Sequence, residues 1–134
     1  MKNTKRRTID IRSERGQSLT EFALALPILA LLLFAVIQFG IVFNNYVTLT
    51  DATRAGARKA AVGRQLANPQ GTTVTAVRNS ATDLNQSDLS VSVSSTWAAG
   101  SDVSVTASYP YSISLLGMVV KSGRISSTTR ERVE

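Results

Sequence analysis

The sequence contains no cysteine and no histidine. Without cysteine no disulfide can brace a small domain, even in an oxidising compartment. Without either residue the chain has no Ser–His–Asp or Cys–His nucleophilic arrangement and lacks the usual zinc ligands. Aspartates remain as candidate carboxylates, but Asp83, Asp88 and Asp102 fall at expected turns and element ends, where Asp is favoured for backbone reasons. No glycine-rich loop of the P-loop or dinucleotide-binding type is present. The chain therefore offers no catalytic residues, no metal site and no cofactor site, and it is not expected to be an enzyme. No internal repeat is visible, and 134 residues allow one small domain beside a membrane span.

What the chain does have is one long apolar run. From Phe22 to Phe43 the only strongly polar side chain is Gln38. At about 1.5 Å per residue this run makes roughly 33 Å of helix, against a hydrocarbon core of about 30 Å. A buried helix of that length in a soluble protein would need a large core on every side, and the remaining Ser- and Thr-rich chain is too short to supply one. The run is expected to be a transmembrane span in contact with lipid.

The net charge of +6 is unevenly placed. Residues 1–16 hold Lys2, Lys5, Arg6, Arg7, Arg12 and Arg15 against Asp10 and Glu14, six basic residues and two acidic, which accounts for +4 of the total. Basic residues flanking a first span hold that flank in the cytoplasm, so residues 1–16 are expected inside and the chain beyond Phe43 outside. The basicity is thus a topology signal, and the expected strand faces carry Ser and Thr in place of basic and aromatic residues, so no nucleic-acid partner is expected. A cleaved secretory signal is the rival reading. The small-x-small triplet Ala55-Gly56-Ala57 lies too far downstream for it, and the apolar run exceeds the usual length of about 7 to 15 residues.

The front edge of the run carries the chemistry. Glu21 stands just before the apolar residues, and Gly16 precedes it by five positions, at the end of the basic segment. An ionised acid at the middle of a span costs about 2.5–3.5 kcal/mol on insertion scales, and less near the interface. Glycine lets the backbone enter a narrow protease cleft without a side chain in the way. A cut after Gly16 would shed the basic leader and leave a free ammonium at Gln17, close to Glu21.

This arrangement of Gly16, Gln17, Glu21 and Phe22 behind a basic leader resembles the cleavage signature of type IV prepilins. Within that superfamily, EFALALPILALLLFAVIQFG followed by DATRAGARKAAV is similar to the TadE/TadG group of pilin-like proteins from tight-adherence (Tad) pilus systems. The likeness is good from Gly16 to about Val62 and weaker toward the RERVE ending. It implies cleavage between Gly16 and Gln17, an assembly role for Glu21 and Phe22, and a set of partners: a prepilin peptidase, other pilin-like subunits including the major pilin, and the inner-membrane assembly machinery. Major pilins of such systems are generally much shorter, so the resemblance implies a minor pilin or pseudopilin that starts, caps or supports the fibre. The alternative is a permanently anchored, uncleaved extracytoplasmic binding or adhesion domain.

Pro27 lies inside the run, where it removes a helix hydrogen bond and crowds the carbonyl of Ala23, at about 3 kcal/mol in water. It reads either as a tolerated kink or, through the pilin likeness, as a weak point that lets the helix stretch during assembly. Past Phe43 the helical period continues in smaller residues. Leu49, Ala52, Gly56, Ala60 and Gly63 share one face while Asp51, Arg54 and Arg58 share the other. The small face of Ala52, Gly56 and Ala60 is expected to lie against the outer domain or a neighbouring subunit.

The expected organisation is a leader at 1–16, a helix over 17–63 and an extracytoplasmic domain over 64–134. In that domain, Gly63–Gly71 reads as turn with Asn68-Pro69 and Gly71 as breakers, and Thr73–Leu84 reads as a second, short helix. Leu89, Val91, Val93 and Trp97 alternate with Ser and Thr as a strand, and Val103 to Tyr109 alternate as its hairpin partner, ended by Tyr109-Pro110-Tyr111. Ile113–Val120 is a short helix or third strand, and Arg124–Val133 a last strand. Three or four antiparallel strands covered by helix give an α+β class with Trp97, Tyr109 and Tyr111 as its largest core side chains, and the resemblance implies that this fold is pilin-like.

Overall fold

The computed structural model describes residues 11–115 and 117–134, with side-chain surroundings from Gly16 onward. The charged side chains expected to form the leader lie outside the described residues. The elements in chain order are α1 (Ile11–Ala61), α2 (Pro69–Ser80), β1 (Ser90–Ser94), β2 (Asp102–Leu115) and β3 (Met118–Arg132). The class is α+β, as the periodicities require: a long apolar helix, one short helix and a three-stranded antiparallel sheet in the order β1-β2-β3. The chain divides into two compact units, one ending at Val36 and one covering Ile37–Glu134.

The described residues of the first unit are helical. Its large apolar side chains, including Leu24, Leu29 and Leu32, are exposed, and the helix continues through Pro27 without a break. The Gly16–Ala61 stretch of α1 is long enough, and contains a window apolar enough, to cross a membrane.

The second unit holds the core. α1 contributes Leu49, Ala52, Ala57 and Ala60, α2 contributes Val77, the segment after it Ala81, Leu84 and Leu89, and β2 contributes Val103, Val105 and Ala107. Alternation puts those β2 residues on one face, opposite Val91 and Val93 of β1 and Ser127 and Thr129 of β3. The small-residue face of α1 is filled from within the chain. A Cβ added at Gly56 would collide with Val77 Cγ2 and lie 3.4 Å from Val105 Cγ1, so glycine is what permits this close packing.

β3 meets the helix with hydroxyls. Thr53, fully buried on α1, donates to Thr50 O at 2.9 Å and lies 3.3 Å from Ser127 Oγ and 3.1 Å from Thr129 Oγ1. Each of these hydroxyl oxygens has a partner, which is the condition for burying it. The carboxyl end closes the far side of the unit: Glu134 N donates to Ala61 O at 2.9 Å, satisfying one of the carbonyls that a helix end leaves open.

Several local expectations are corrected. The second helix starts at Pro69, four residues earlier than the apolar period indicates, because Asn68 and Pro69 open a helix here instead of breaking one. Asn68 Oδ1 accepts from Gly71 N at 2.8 Å as N-cap, and Pro69 occupies a first-turn position where no N–H is needed. At its other end the helix stops at Ser80, and the buried Ala81 and Leu84 belong to a turn held by Gln86 Nε2 on Ala81 O and Leu84 O.

Tyr109-Pro110-Tyr111 does not end β2. β1 pairs only as far as Ser108, so Pro110 has β3 alone as a neighbour, and an open edge is where a strand tolerates a residue without N–H. Ile113–Val120 is neither a helix nor a separate strand but the tip of the β2–β3 hairpin, with Leu115 paired to Met118 and Gly117 at φ +83° in the connection. Trp97 and Tyr109 are half-buried against the core, while Tyr111 instead covers its cross-strand partner Gly123, where an added Cβ would lie 3.1 Å from the ring. The largest fully buried side chains are aliphatic residues and threonines, Leu49 first among them.

Candidate assembly site at the front of the apolar helix

Gly16, Gln17, Thr20, Glu21 and Phe22 all lie within α1. Helical spacing puts residues four apart on one face, so Gln17 and Glu21 meet: Gln17 Nε2 donates to Glu21 Oε1 at 3.1 Å. Thr20 Oγ1 donates to Gly16 O at 2.9 Å, tying that carbonyl to the next turn. Gly16 has open space around it, with nothing within 4 Å of an added Cβ. Phe22 follows Glu21 with its ring 59% exposed and begins the apolar surface.

The arrangement is a carboxylate on the rim of an apolar cylinder, held by a neutral amide. An amide hydrogen bond eases desolvation of the acid but leaves its charge in place. A cation at the same position would remove the charge as well. The backbone nitrogen of Gln17 is one turn of helix from Glu21, about 6 Å along the axis, within reach of a flexible amino terminus or of the same group on a neighbour.

Elsewhere the described residues hold no group of three or more His, Cys, Asp or Glu side chains placed to take a metal ion. Asp83 and Asp88 lie in the turns between α2 and β1, Asp102 opens β2, and all three are exposed. Asp51 and Arg54 form an exposed pair at 3.6 Å on the solvent face of α1, of the kind that contributes little.

Three residues with structural roles escaped sequence reasoning. Thr53 gave no signal, since a threonine between Ala52 and Arg54 fits either helix face. Arg124 reads as a surface cation, yet its guanidinium reaches Asp88 O, Ser90 Oγ and Ser108 O at 3.0–3.3 Å and so pins β1 and β2 to β3. Gln38, whose polarity inside the apolar run is itself a signal, donates to Ser114 O at 3.3 Å.

No curated protein and no solved structure matches this chain. Residues 16–58, from the glycine through the apolar run to the small-residue face, match the family of TadE-like proteins.

Proposed function

We propose that this TadE-like, Tad pilus-associated chain is a minor pilin or pseudopilin that prepilin peptidase cuts after Gly16 and that then takes part in assembling, starting or capping a Tad-type pilus. α1 anchors it in the cytoplasmic membrane, with residues 1–16 inside and residues 64–134 outside. The role is structural. The observation that carries it is the position of Glu21, one helical turn from the nitrogen that cleavage would free and at the front of an exposed apolar surface. Among the described contacts, the acid accepts from the neutral Gln17 amide. After cleavage an ammonium from the same subunit or a neighbour neutralises it, and charge-assisted contacts of this kind are the stronger class of hydrogen bond. Subunits that meet in register therefore lose an unfavourable charge in lipid, and subunits out of register keep it.

The uncleaved-anchor reading keeps one point in its favour: α1 is continuous across Gly16 and Gln17, so a peptidase must unwind the first turns to reach the bond. Glycine makes that opening easier, being about 1 kcal/mol poorer than alanine in a helix. Fractionation separates the two readings. The pilin reading predicts that the chain appears in sheared fibres or detergent-extracted assembly complexes, and that its presence there is lost in cells without the peptidase. A chain that stays in the membrane fraction whether or not the peptidase is present supports the anchor.

A further inference from the structure

We propose that the tip of the β2–β3 hairpin inserts into the outer face of the lipid bilayer beside α1, giving the outer domain a second membrane contact. Within the Ile37–Glu134 unit, Gln38 Nε2 donates to Ser114 O at 3.3 Å. Gln38 lies five positions inside the outer end of the apolar run at Phe43, about 7.5 Å deep at the rise of a helix. The ladder is interrupted by a register shift between Ile113 and Ser114, the kind of irregularity that leaves a strand carbonyl for another donor. An amide at that depth needs a partner, because lipid offers none.

Burial along α1 agrees independently. Gln38, Val42 and Asn45 are half-buried and Leu49 is buried, at helical spacing, whereas every side chain from Leu31 to Ile37 is exposed. The covered stripe of α1 thus runs as far in as Gln38, the residue that meets the hairpin at Ser114. On the hairpin itself, Met118, Val119 and Val120 are 70%, 64% and 63% exposed. Among the described residues these three stay uncovered, as do Phe39, Ile41 and Phe43 around Gln38 on α1.

Composition favours lipid over a protein partner as the occupant. The tip from Ile113 to Val120 carries no charged group, and the first charges beyond it are Lys121 and Arg124, with no acid in the hairpin between Ile113 and Arg124. Aliphatic residues leading into cations suit acyl chains below anionic headgroups. The inference rests on the apolar run of α1 lying in a bilayer, and needs neither cleavage nor pilus assembly.

The absence of cysteine makes the test direct. Single variants Val119→Cys, Ile41→Cys and Ser92→Cys of the full chain, each labelled with an environment-sensitive fluorophore, are reconstituted in phosphatidylethanolamine–phosphatidylglycerol vesicles with or without nitroxide-bearing lipid. All three positions are exposed in the chain, so folding should tolerate the label. The expected result is blue-shifted emission at Val119 and Ile41, with lipid quenching several-fold stronger than at Ser92. An aqueous spectrum at Val119 with lipid quenching at Ile41 overturns the proposal and leaves the span intact. A blue shift at Val119 that lipid nitroxide does not quench assigns the tip to a protein neighbour and overturns it too. Loss of quenching at Ile41 as well removes the span reading and the proposal together.

Discussion

Gln17 Nε2 donates to Glu21 Oε1 at 3.1 Å, one helical turn apart on a shared face, directly ahead of the first exposed apolar ring. This described contact comes from a neutral side chain on the same residue whose backbone nitrogen cleavage would free. Side-chain amide and backbone amine can be separated by substitution. Glu21→Ala and Glu21→Gln should both be processed normally yet fall several-fold in sheared fibres or assembly complexes. Gln17→Ala, which keeps the new amine, should stay near wild type. Wild-type recruitment of Glu21→Gln would count against neutralisation by the amine, because that variant removes only the charge.

Gly16 has open surroundings, so a larger residue there has nothing to strike within the folded chain. Gly16→Leu should therefore leave the thermal unfolding of the detergent-solubilised protein unchanged while blocking processing. Immunoblotting for the uncut form in cells with active peptidase checks this. Normal processing of the variant would remove Gly16 from the cleavage site.

Gly56 is the opposite case. Gly56→Ala places a methyl group against Val77 Cγ2, and overpacking of this kind destabilises by about 1–3 kcal/mol. Combining it with Val77→Ala should recover part of the loss, since the two substitutions share one space and are not additive. Urea unfolding of the single and double variants measures both effects.

Thr53 joins α1 to β3 through Ser127 and Thr129. Thr53→Val keeps the shape and removes the hydroxyl, leaving the buried Ser127 hydroxyl short of a partner, with an expected loss of about 1–3 kcal/mol. Ser127→Ala added to Thr53→Val should cost less than the sum of the two singles. Strict additivity would show that the hydroxyls do not act together.

Where side-chain period decides the outcome, the sequence was legible. Leu49, Ala52, Gly56 and Ala60 are buried along one side of α1, and Val91 and Val93 alternate with exposed serines in β1, because each of these periods has one burial solution. Legibility failed where one residue type serves two backbone roles. Asn68-Pro69 breaks a chain in many contexts but here caps and opens α2, and only the hydrogen bond to Gly71 N distinguishes the two. Tyr109-Pro110-Tyr111 passes through a strand because β1 is too short to claim the edge at Pro110, a fact of register that alternation does not encode. The long-range contacts of Thr53 with β3 and Gln38 with Ser114 depend on how the strands return to α1, which no local pattern specifies. At the candidate site, spacing singles out Gly16, Gln17 and Glu21 only as an expectation, while the Gln17 amide on Glu21 follows from the helix continuing through both residues.

The mass of the amino-terminal peptide, taken from protein purified from cells with active prepilin peptidase, tests the central claim most directly. The account predicts a chain beginning at Gln17, with the form retaining residues 1–16 accumulating only where the peptidase is missing. A mature protein that keeps those residues in the presence of the enzyme would contradict it.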